Sequence, residues 1–251
     1  MKIDLYNDDC LNIFPKIEDQ SVDMILTDPP YETTNLSWDS MIDFEKLWPE
    51  LRRIIKPSGA IVMTSAQPFT SKLIMSAPDI FKYSLVWKKT RIGHFAQAPY
   101  RFLTEHEDIC VFSYAGTSKN AKNRMKYNPQ GTTECNKQMK GLGNRALRPS
   151  KVTQDDYVQT TTGYPKSILE FDSAYDTVHP TQKPVPLMEY LIKSYSNEGD
   201  TILDFTMGSG TTGLSAKQSD RNFIGIEMDK TYFDIAEERI NSTAMLNELF
   251  G

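Results

Sequence analysis

Asp28-Pro29-Pro30-Tyr31 follows the stretch Val22 to Thr27 and sets a carboxylate, two prolines and an aromatic ring at the end of what reads as a buried strand. These residue types suit a flat exocyclic amine. Asp28 can accept one N–H, and Pro29, which has no amide hydrogen of its own, leaves a backbone carbonyl to accept the other. Two acceptors on one amino group turn its lone pair out of conjugation and toward an electrophile, which is catalysis by placement and electrostatics rather than by a general base. Pro29 and Pro30 hold that carbonyl rigid, and Tyr31 offers a face on which a ring can stack. A strand ending in a Pro-Pro turn with a solvated Asp would look the same over four residues, so the rest of the chain has to decide.

A second cluster lies far along the chain. Asp200 to Phe205 reads as a strand running into Thr206-Met207-Gly208-Ser209-Gly210-Thr211-Thr212-Gly213, a glycine-rich turn that opens a helix, and Asn222 to Ile226 reads as the next strand, ending on Glu227. Small residues at Gly208, Ser209 and Gly210 let a backbone approach a ligand closely. The spacing falls short of the dinucleotide fingerprint and has no Gly-Lys-Ser/Thr, so neither a pyrophosphate nor a triphosphate is provided for. Glu227 suits the two hydroxyls of a ribose. A nucleoside without phosphates that carries an amino acid fits, namely S-adenosylmethionine, with Lys183 set to pair with its carboxylate and Asp204 to accept from its ammonium. Singly, each of these three charges reads equally well as a solvated residue; together with the Asp-Pro-Pro-Tyr strand end they converge on methyl transfer.

The elements that must position these residues alternate between strand and helix. Ile3 to Tyr6 reads as a strand, and Leu11 to Ile17 as a short helix broken at Pro15. Glu32 to Met41, which holds Trp38, has no clear period and is expected to be a loop over the site, a lid. Phe44, Leu47, Trp48, Leu51, Ile54 and Ile55 share one helix face, interrupted at Pro49, and Lys56-Pro57-Ser58-Gly59 is expected to end that helix. Ala60 to Thr64, Tyr83 to Trp87 and Asp108 to Phe112 read as strands. Pro186 falls in the first turn of a helix carrying Leu187, Tyr190, Leu191 and Tyr195 on one face, and a last helix buries Phe233, Ala236, Ile240 and Ala244. This alternation predicts an α/β fold with a doubly wound, mostly parallel sheet whose ligand sites lie at the carboxyl ends of the strands.

With 251 residues the chain is long enough for one large domain or one domain with an insertion. No apolar run approaches a bilayer span and the first residues lack a signal peptide's apolar stretch, so no membrane contact and a cytoplasmic location are expected. The three cysteines, Cys10, Cys110 and Cys135, are scattered, and neither a disulfide framework nor a metal site is expected. The net charge of −5 hides an asymmetry: Gly116 to Lys166 holds ten Lys or Arg against three acidic residues, a balance of +7, which leaves −12 for the remainder. Within it Tyr127, Tyr157 and Tyr164 interleave with the cations, as a nucleic-acid surface requires, although by composition a linker reads as well. Lys88 to Arg101 is a second basic, aromatic stretch without an acidic residue.

Thr27 to Tyr31 (TDPPY), His179 to Pro184 (HPTQKP) and Asp204 to Thr212 (DFTMGSGTT) resemble the signatures of the amino-group (N6-adenine and N4-cytosine) DNA methyltransferases, in the order typical of their β class. The resemblance implies a Rossmann-like, S-adenosylmethionine-dependent methyltransferase fold, circularly permuted, with residues 1–115 as the catalytic half, 116–166 as a target-recognition insertion and 167–251 as the cofactor half. Ile3 to Tyr6 would then supply the strand missing after the last helix. The resemblance makes Asp28, Pro29, Pro30 and Tyr31 catalytic and places Asp28 in the cofactor cleft as well, together with Asp9, Cys10, Thr181, Phe205 and Thr211, Asp9 toward the adenine amino group; Phe205 stands where the family more often has Pro followed by Phe. It implies methylation of the N6 amino group of adenine in double-stranded DNA, with the base flipped out of the duplex onto Tyr31 and with Trp87 or Phe102 on its other face. Lys88, Lys89, Arg91, Arg101, Lys119, Lys122, Arg124, Lys126, Arg145 and Arg148 would contact DNA. His106-Glu107 matches a family pattern read here as structural. The resemblance suggests a homodimer and leaves open a restriction endonuclease partner. N4-cytosine transfer is the nearest rival, with Ser in place of Asp28 the expected mark of that activity, and a non-catalytic DNA-binding protein that keeps the fold is a rival of another class.

Overall fold

The computed structural model describes residues 1–32, 41–140, 156–175, 177–179 and 181–250, the last eight of these by backbone alone. The expected lid with Trp38, and Arg145 and Arg148, lie outside the described residues. The strand that ends on Asp28 sits mid-sheet and explains the rest. β2 (Val22–Thr27) is buried along its whole length. Ile25 joins the core on one face of the sheet while Met24 and Leu26 join the core on the other, the two-residue alternation of a strand covered on both sides.

Its neighbours are β3 (Ile55–Ser65) and β9 (Thr201–Asp204), both parallel to it. Beyond β9 come β10 (Asn222–Glu227) and β1 (Ile3–Asn7), again parallel. On the other side follow β5 (Thr104–Phe112), antiparallel to β3, then β4 (Phe81–Gly93) and β8 (Ile168–Glu170), giving the order β1-β10-β9-β2-β3-β5-β4-β8. The first strand of the chain thus pairs with the last, Ile3 opposite Phe223, as a circularly permuted sheet requires.

Among the described residues six α-helices flank these strands: α1 (Cys10–Ile13), α2 (Phe44–Ile54), α3 (Phe69–Ser76), α4 (Val185–Tyr195), α5 (Thr211–Gln218) and α6 (Lys230–Phe250). Among the described residues no helix is long and apolar enough to cross a membrane. Helix α2 is capped by Asp43, whose carboxylate accepts from the Glu45 amide at 2.9 Å, and it buries Leu47, Trp48, Leu51 and Ile54 while running through Pro49. Lys56 to Gly59 do not form the expected turn. Strand β3 begins at Ile55, and its register with β2 shifts between Ile55 and Ala60. A side chain at Gly59 would meet the Asp23 carbonyl at 2.7 Å, so glycine is what lets the two backbones close up there. Strands β4 and β5 run well past their expected ends, so Lys88, Lys89 and Arg91 stand on a strand. That extension is a two-stranded ribbon exposed beyond the core, which is why no apolar period announced it.

Contacts divide the chain into one unit of residues 1–128 with 167–251 and a second of 129–166. In the second, β6 (Thr133–Met139) and β7 (Tyr157–Thr162) form an antiparallel pair. The basic insertion expected from residue 116 therefore becomes a separate unit only at Pro129. Residues 116–128 are tied to the large unit: the Lys126 amide donates to the Ser58 carbonyl at 3.0 Å, and the Lys126 ammonium lies 2.5 Å from Asp200 and 3.4 Å from Asp23.

Candidate active site

A cavity of about 630 Å³ opens at the carboxyl ends of β9 and β2, where the chain leaves one strand toward β10 and the other toward β3. An open α/β sheet puts its ligands at such a reversal. Asp28, Pro29, Pro30 and Tyr31 line it from the β2 side, and Phe205 to Ser209 line it from the β9 side. Two threonines tie these strand ends together: Thr27 Oγ1 donates to Asp204 at 2.7 Å, and Thr206 Oγ1 donates to the Asp28 carbonyl at 3.2 Å.

Asp28 is held on both oxygens. Oδ1 accepts from the Tyr31 hydroxyl at 2.6 Å and from Thr64 Oγ1, and Oδ2 accepts from the Lys183 ammonium at 2.6 Å. Of the roughly four acceptor positions on a carboxylate, one is left. Among the described residues nothing donates to the Pro29 carbonyl. Tyr31 stacks on Phe69 with ring centroids 5.2 Å apart, and burial followed by the charge of Asp28 pushes its hydroxyl well above the usual phenol range, so it acts as a donor. The expected base-stacking ring therefore also serves as a brace for the carboxylate.

Lys183 is not free for a ligand carboxylate as the sequence suggested. It bridges Asp28 and Glu107 Oε2, 3.3 Å away, and Glu107 Oε1 accepts from Lys89 at 2.9 Å. Glu107 Oε2 has no hydrogen bond aligned on it among the described residues. Burial alone would lower the Lys183 pKa, but Asp28 and Glu107 outweigh it and raise it; burial alone would raise Glu107, but Lys183 and Lys89 outweigh it and lower it. The result is a row of alternating charges, Asp28, Lys183, Glu107 and Lys89, along one wall of the cavity. Lys89 thus takes an interior place in addition to its expected role toward DNA. Glu107 was read as structural from its His-Glu pattern, and no spacing in the sequence links it to Asp28 or Lys183.

The β9 side fits a ligand with an ammonium and a ribose. Asp204 is buried, accepts from Thr27 and from the Thr206 amide, and is pushed up to about 7 by burial. Such a carboxyl gains from a cation brought to it. Glu227 Oε2 accepts from the Gly208 amide at 2.9 Å and Oε1 from the Asp229 amide at 2.8 Å, so each oxygen keeps acceptor capacity while fixing the turn; burial raises its pKa. Gly208 and Gly210 both have left-handed backbones, φ 51° and 80°. A Cβ at Gly210 would sit 2.9 Å from the Ala236 side chain on α6, whereas one at Gly208 would meet nothing closer than His179 at 3.9 Å. Gly210 thus makes room for the helix behind, and Gly208 leaves a bare backbone at the cavity. Arg239 of α6, which no motif pointed to, donates to the Ser209 carbonyl and braces the same turn.

Asp9, Cys10, Thr181, Phe205 and Thr211 also line the cavity. Asp9 caps α1 through the Leu11 amide, Phe205 packs edge-on against Phe14, and the Thr181 amide and hydroxyl lie within 3.2 Å of His179 Nδ1. Trp87 lines the cavity too, its indole N–H on the Phe171 carbonyl at 2.9 Å, while Phe102 is 96% exposed. Of the expected DNA contacts, Arg91, Arg101, Lys119, Lys122 and Arg124 are exposed, and Lys88 is exposed near Glu170. Lys126 is drawn inward by Asp23 and Asp200, which gives its charge a structural task in place of a phosphate.

A mostly parallel sheet with a glycine turn at its reversal point, facing the braced Asp28 carboxylate across one cavity, is the architecture of a group-transfer enzyme built around a nucleoside cofactor. Residues 22–238 match the DNA methylase family that groups N6 and N4 methyltransferases, and the chain belongs to it: it is a DNA methyltransferase. The Type II methyltransferase M.HpaI of Haemophilus parainfluenzae is 30% identical over 237 residues, covering 90% of this chain and 70% of that protein. The crystal structure of an M1.HpyAVI-SAM complex is similar with a TM-score of 0.64 at 26% identity, over 95% of this chain and 99% of the other. The PvuII DNA methyltransferase, described as cytosine-N4-specific, shares the fold with a TM-score of 0.66 at 16% identity, over 95% of this chain and 86% of the other.

Proposed function

We propose that this DNA methyltransferase methylates the N6 amino group of adenine in duplex DNA, taking the target base out of the stack to do so. The cofactor is S-adenosylmethionine, which supplies a methyl group on a sulfonium for an amine to take. Asp204 would hold its ammonium and Glu227 its ribose hydroxyls, against the bare backbone at Gly208. One observation carries the amine assignment: Asp28 keeps one acceptor position beside the open Pro29 carbonyl while every other position on its carboxylate is engaged. Two acceptors at that distance from each other along the chain grip two N–H bonds of one amino group and leave its lone pair directed into the cavity. The S–CH3 bond breaks as the N–CH3 bond forms, S-adenosylhomocysteine leaves, and the proton shed by the methylated amine passes to water, with Asp28 serving to orient the amine.

Adenine is favoured by Asp at position 28, where Ser would suit the cytosine enzymes. The cytosine-N4 reading has its own support, since the PvuII enzyme has the same fold and cytosine presents an equivalent amine. Phosphate contacts are assigned to Arg91, Arg101, Lys119, Lys122 and Arg124. DNA from cells expressing the protein, digested to nucleosides and analysed by mass spectrometry, will contain N6-methyladenine. N4-methylcytosine alone would overturn the base assignment, and neither product would overturn the activity. Sequencing the methylated positions in the same DNA then gives the target site.

A further inference from the structure

The β4–β5 ribbon carries a group of rings that the reaction as described does not use. Pairing between these strands is regular from Tyr83 opposite Val111 to Lys88 opposite His106 and resumes only at Gly93 opposite Thr104, so the ribbon bulges and a loop of residues 94–103 closes it. The loop is ordered by its own backbone. His94 takes a left-handed conformation at φ 62°, Phe95–Gln97 form a turn of 3-10 helix, and the Tyr100 and Arg101 amides donate to the Gln97 carbonyl at 2.8 and 3.1 Å. Yet its large side chains face outward: Phe95 is 78% exposed, Tyr100 88% and Phe102 96%. Three aromatic rings left in water within eight residues are an interaction surface rather than the scattered exposure of an ordinary protein.

Position and charge say what that surface meets. Ile92, Gly93, His94 and Thr104, at the root of the loop, line the cavity, so the loop carries its rings beside the space in which a base would meet Asp28. From Lys88 to Thr104 the chain has Lys88, Lys89, Arg91 and Arg101 and no acidic residue. A partner that is negatively charged and offers flat π faces is a nucleic acid, and the face presented beside an extruded base is the gap it leaves. The base itself does not need these rings, because Tyr31 and Trp87 already line the cavity.

We propose that the 94–103 loop inserts an aromatic ring, with Phe102 as the leading candidate and Tyr100 and Phe95 beside it, into the duplex stack at the place vacated by the target base. The inserted ring replaces the lost stacking and keeps the base from returning. This rests on the methyltransferase reading above, and the test separates the two.

Two duplexes carrying the mapped target site are compared, one fully paired and one with an abasic position opposite the target, where unpairing is already done. Phe95, Tyr100 and Phe102 are replaced by alanine singly and together, and methyl transfer, cofactor binding and sedimentation are measured. The triple variant will lose about tenfold or more in kcat/KM on the paired duplex and less than about twofold on the abasic one, as expected when stacking is needed only to hold a gap open. Phe102→Trp will keep the paired-duplex activity of the wild type, and cofactor binding will be unchanged throughout. Equal losses on both duplexes, or no loss on either, would overturn the insertion. A change of oligomeric state with equal activity on both duplexes would overturn it in favour of an interface between copies of the chain. Failure of the wild type to methylate either duplex would instead remove the methyltransferase reading, and the insertion with it.

Discussion

Replacing Asp28 by alanine removes an acceptor without stranding the groups it holds. Lys183 keeps Glu107 at 3.3 Å, and the Tyr31 hydroxyl still donates to Thr64 at 3.0 Å. Asp28→Ala is therefore expected to fold and to bind the cofactor normally by titration calorimetry, while transfer of labelled methyl falls by about 10²- to 10³-fold, the usual cost of deleting one oriented electrostatic contact. Transfer within tenfold of wild type would show that the amine is gripped elsewhere. Asp204 gives a pH dependence. Burial moves it from an ordinary 3.8 to about 7, so between those values the folded protein keeps a proton that the unfolded chain has lost. Its contribution to stability is present below about pH 4 and is lost as pH rises through about 7. An ammonium brought against it favours the ionised form, so cofactor affinity will rise with pH by up to about tenfold per unit below pH 7 and then level off. Asp204→Asn will bind more weakly and flatten that slope. A slope unchanged in Asp204→Asn would refute the assignment. At this scale Asp28, Asp204, Gly208, Gly210 and Glu227 were legible because each sits at a strand end or in a glycine turn. Glu107 was not, because its role comes from Lys89 and Lys183 meeting it across the fold. The same limit applies to Lys183, whose charge the sequence shows but whose partners it does not.

Between 116 and 128 the question is which cations are structural and which are available. A count of charges treats Lys119, Lys122 and Lys126 alike, and burial separates them. The Lys126 ammonium is 2.5 Å from Asp200 and 3.4 Å from Asp23, carboxylates whose side chains are 16% and 8% exposed, and so it pins the segment to the starts of β9 and β2. Burial raises the pKa of Asp23, but the Lys56 hydrogen bond, the Thr201 amide and Lys126 together leave it lowered. Lys126→Ala is expected to cost about 3 kcal/mol in chemical denaturation, the low end for removing one side of a buried pair. The double variant Lys119→Ala, Lys122→Ala is expected to change stability by less than about 1 kcal/mol in the same assay. If these two lysines meet phosphates, it will also reduce the slope of log affinity against log salt by about 2. An unchanged salt slope would move the phosphate surface away from this segment. The elements were legible wherever a face is buried, as along α2 or β2. They were not where β4 and β5 leave the core, since that ribbon turns charged Lys89 and Glu107 toward the cavity and leaves Lys88 and Thr90 exposed, and so follows no apolar period.

Permutation of the sheet was readable because the three motifs come in an order that leaves the last helix without a following strand, and β1 beside β10 fills that place. The boundary of the insertion was not, because composition shifts at Gly116 while the chain stays bound to the large unit as far as Asn128. That difference has a consequence for the molecule as a whole. Every described residue that lines the cavity belongs to the unit of 1–128 and 167–251, including both strand ends, the glycine turn and the four alternating charges. Among the described residues, 129–166 contribute none of them, yet the segment holds six Lys or Arg against three acidic residues, so that the remainder of the chain carries −8. A chain in which 129–166 is replaced by a flexible Gly/Ser linker should therefore keep a cooperative thermal transition and bind S-adenosylmethionine within about twofold of the intact protein, because both cores and the cavity remain whole. Its affinity for duplex DNA should fall and its methylation of the mapped site should be lost, since a surface of net −8 repels the phosphates that the deleted unit would draw in. Loss of cofactor binding in the replaced chain would mean that the second unit is part of the cavity's support. Retained methylation at the mapped site would mean that target recognition resides in the large unit, with the 94–103 loop the first place to look for it.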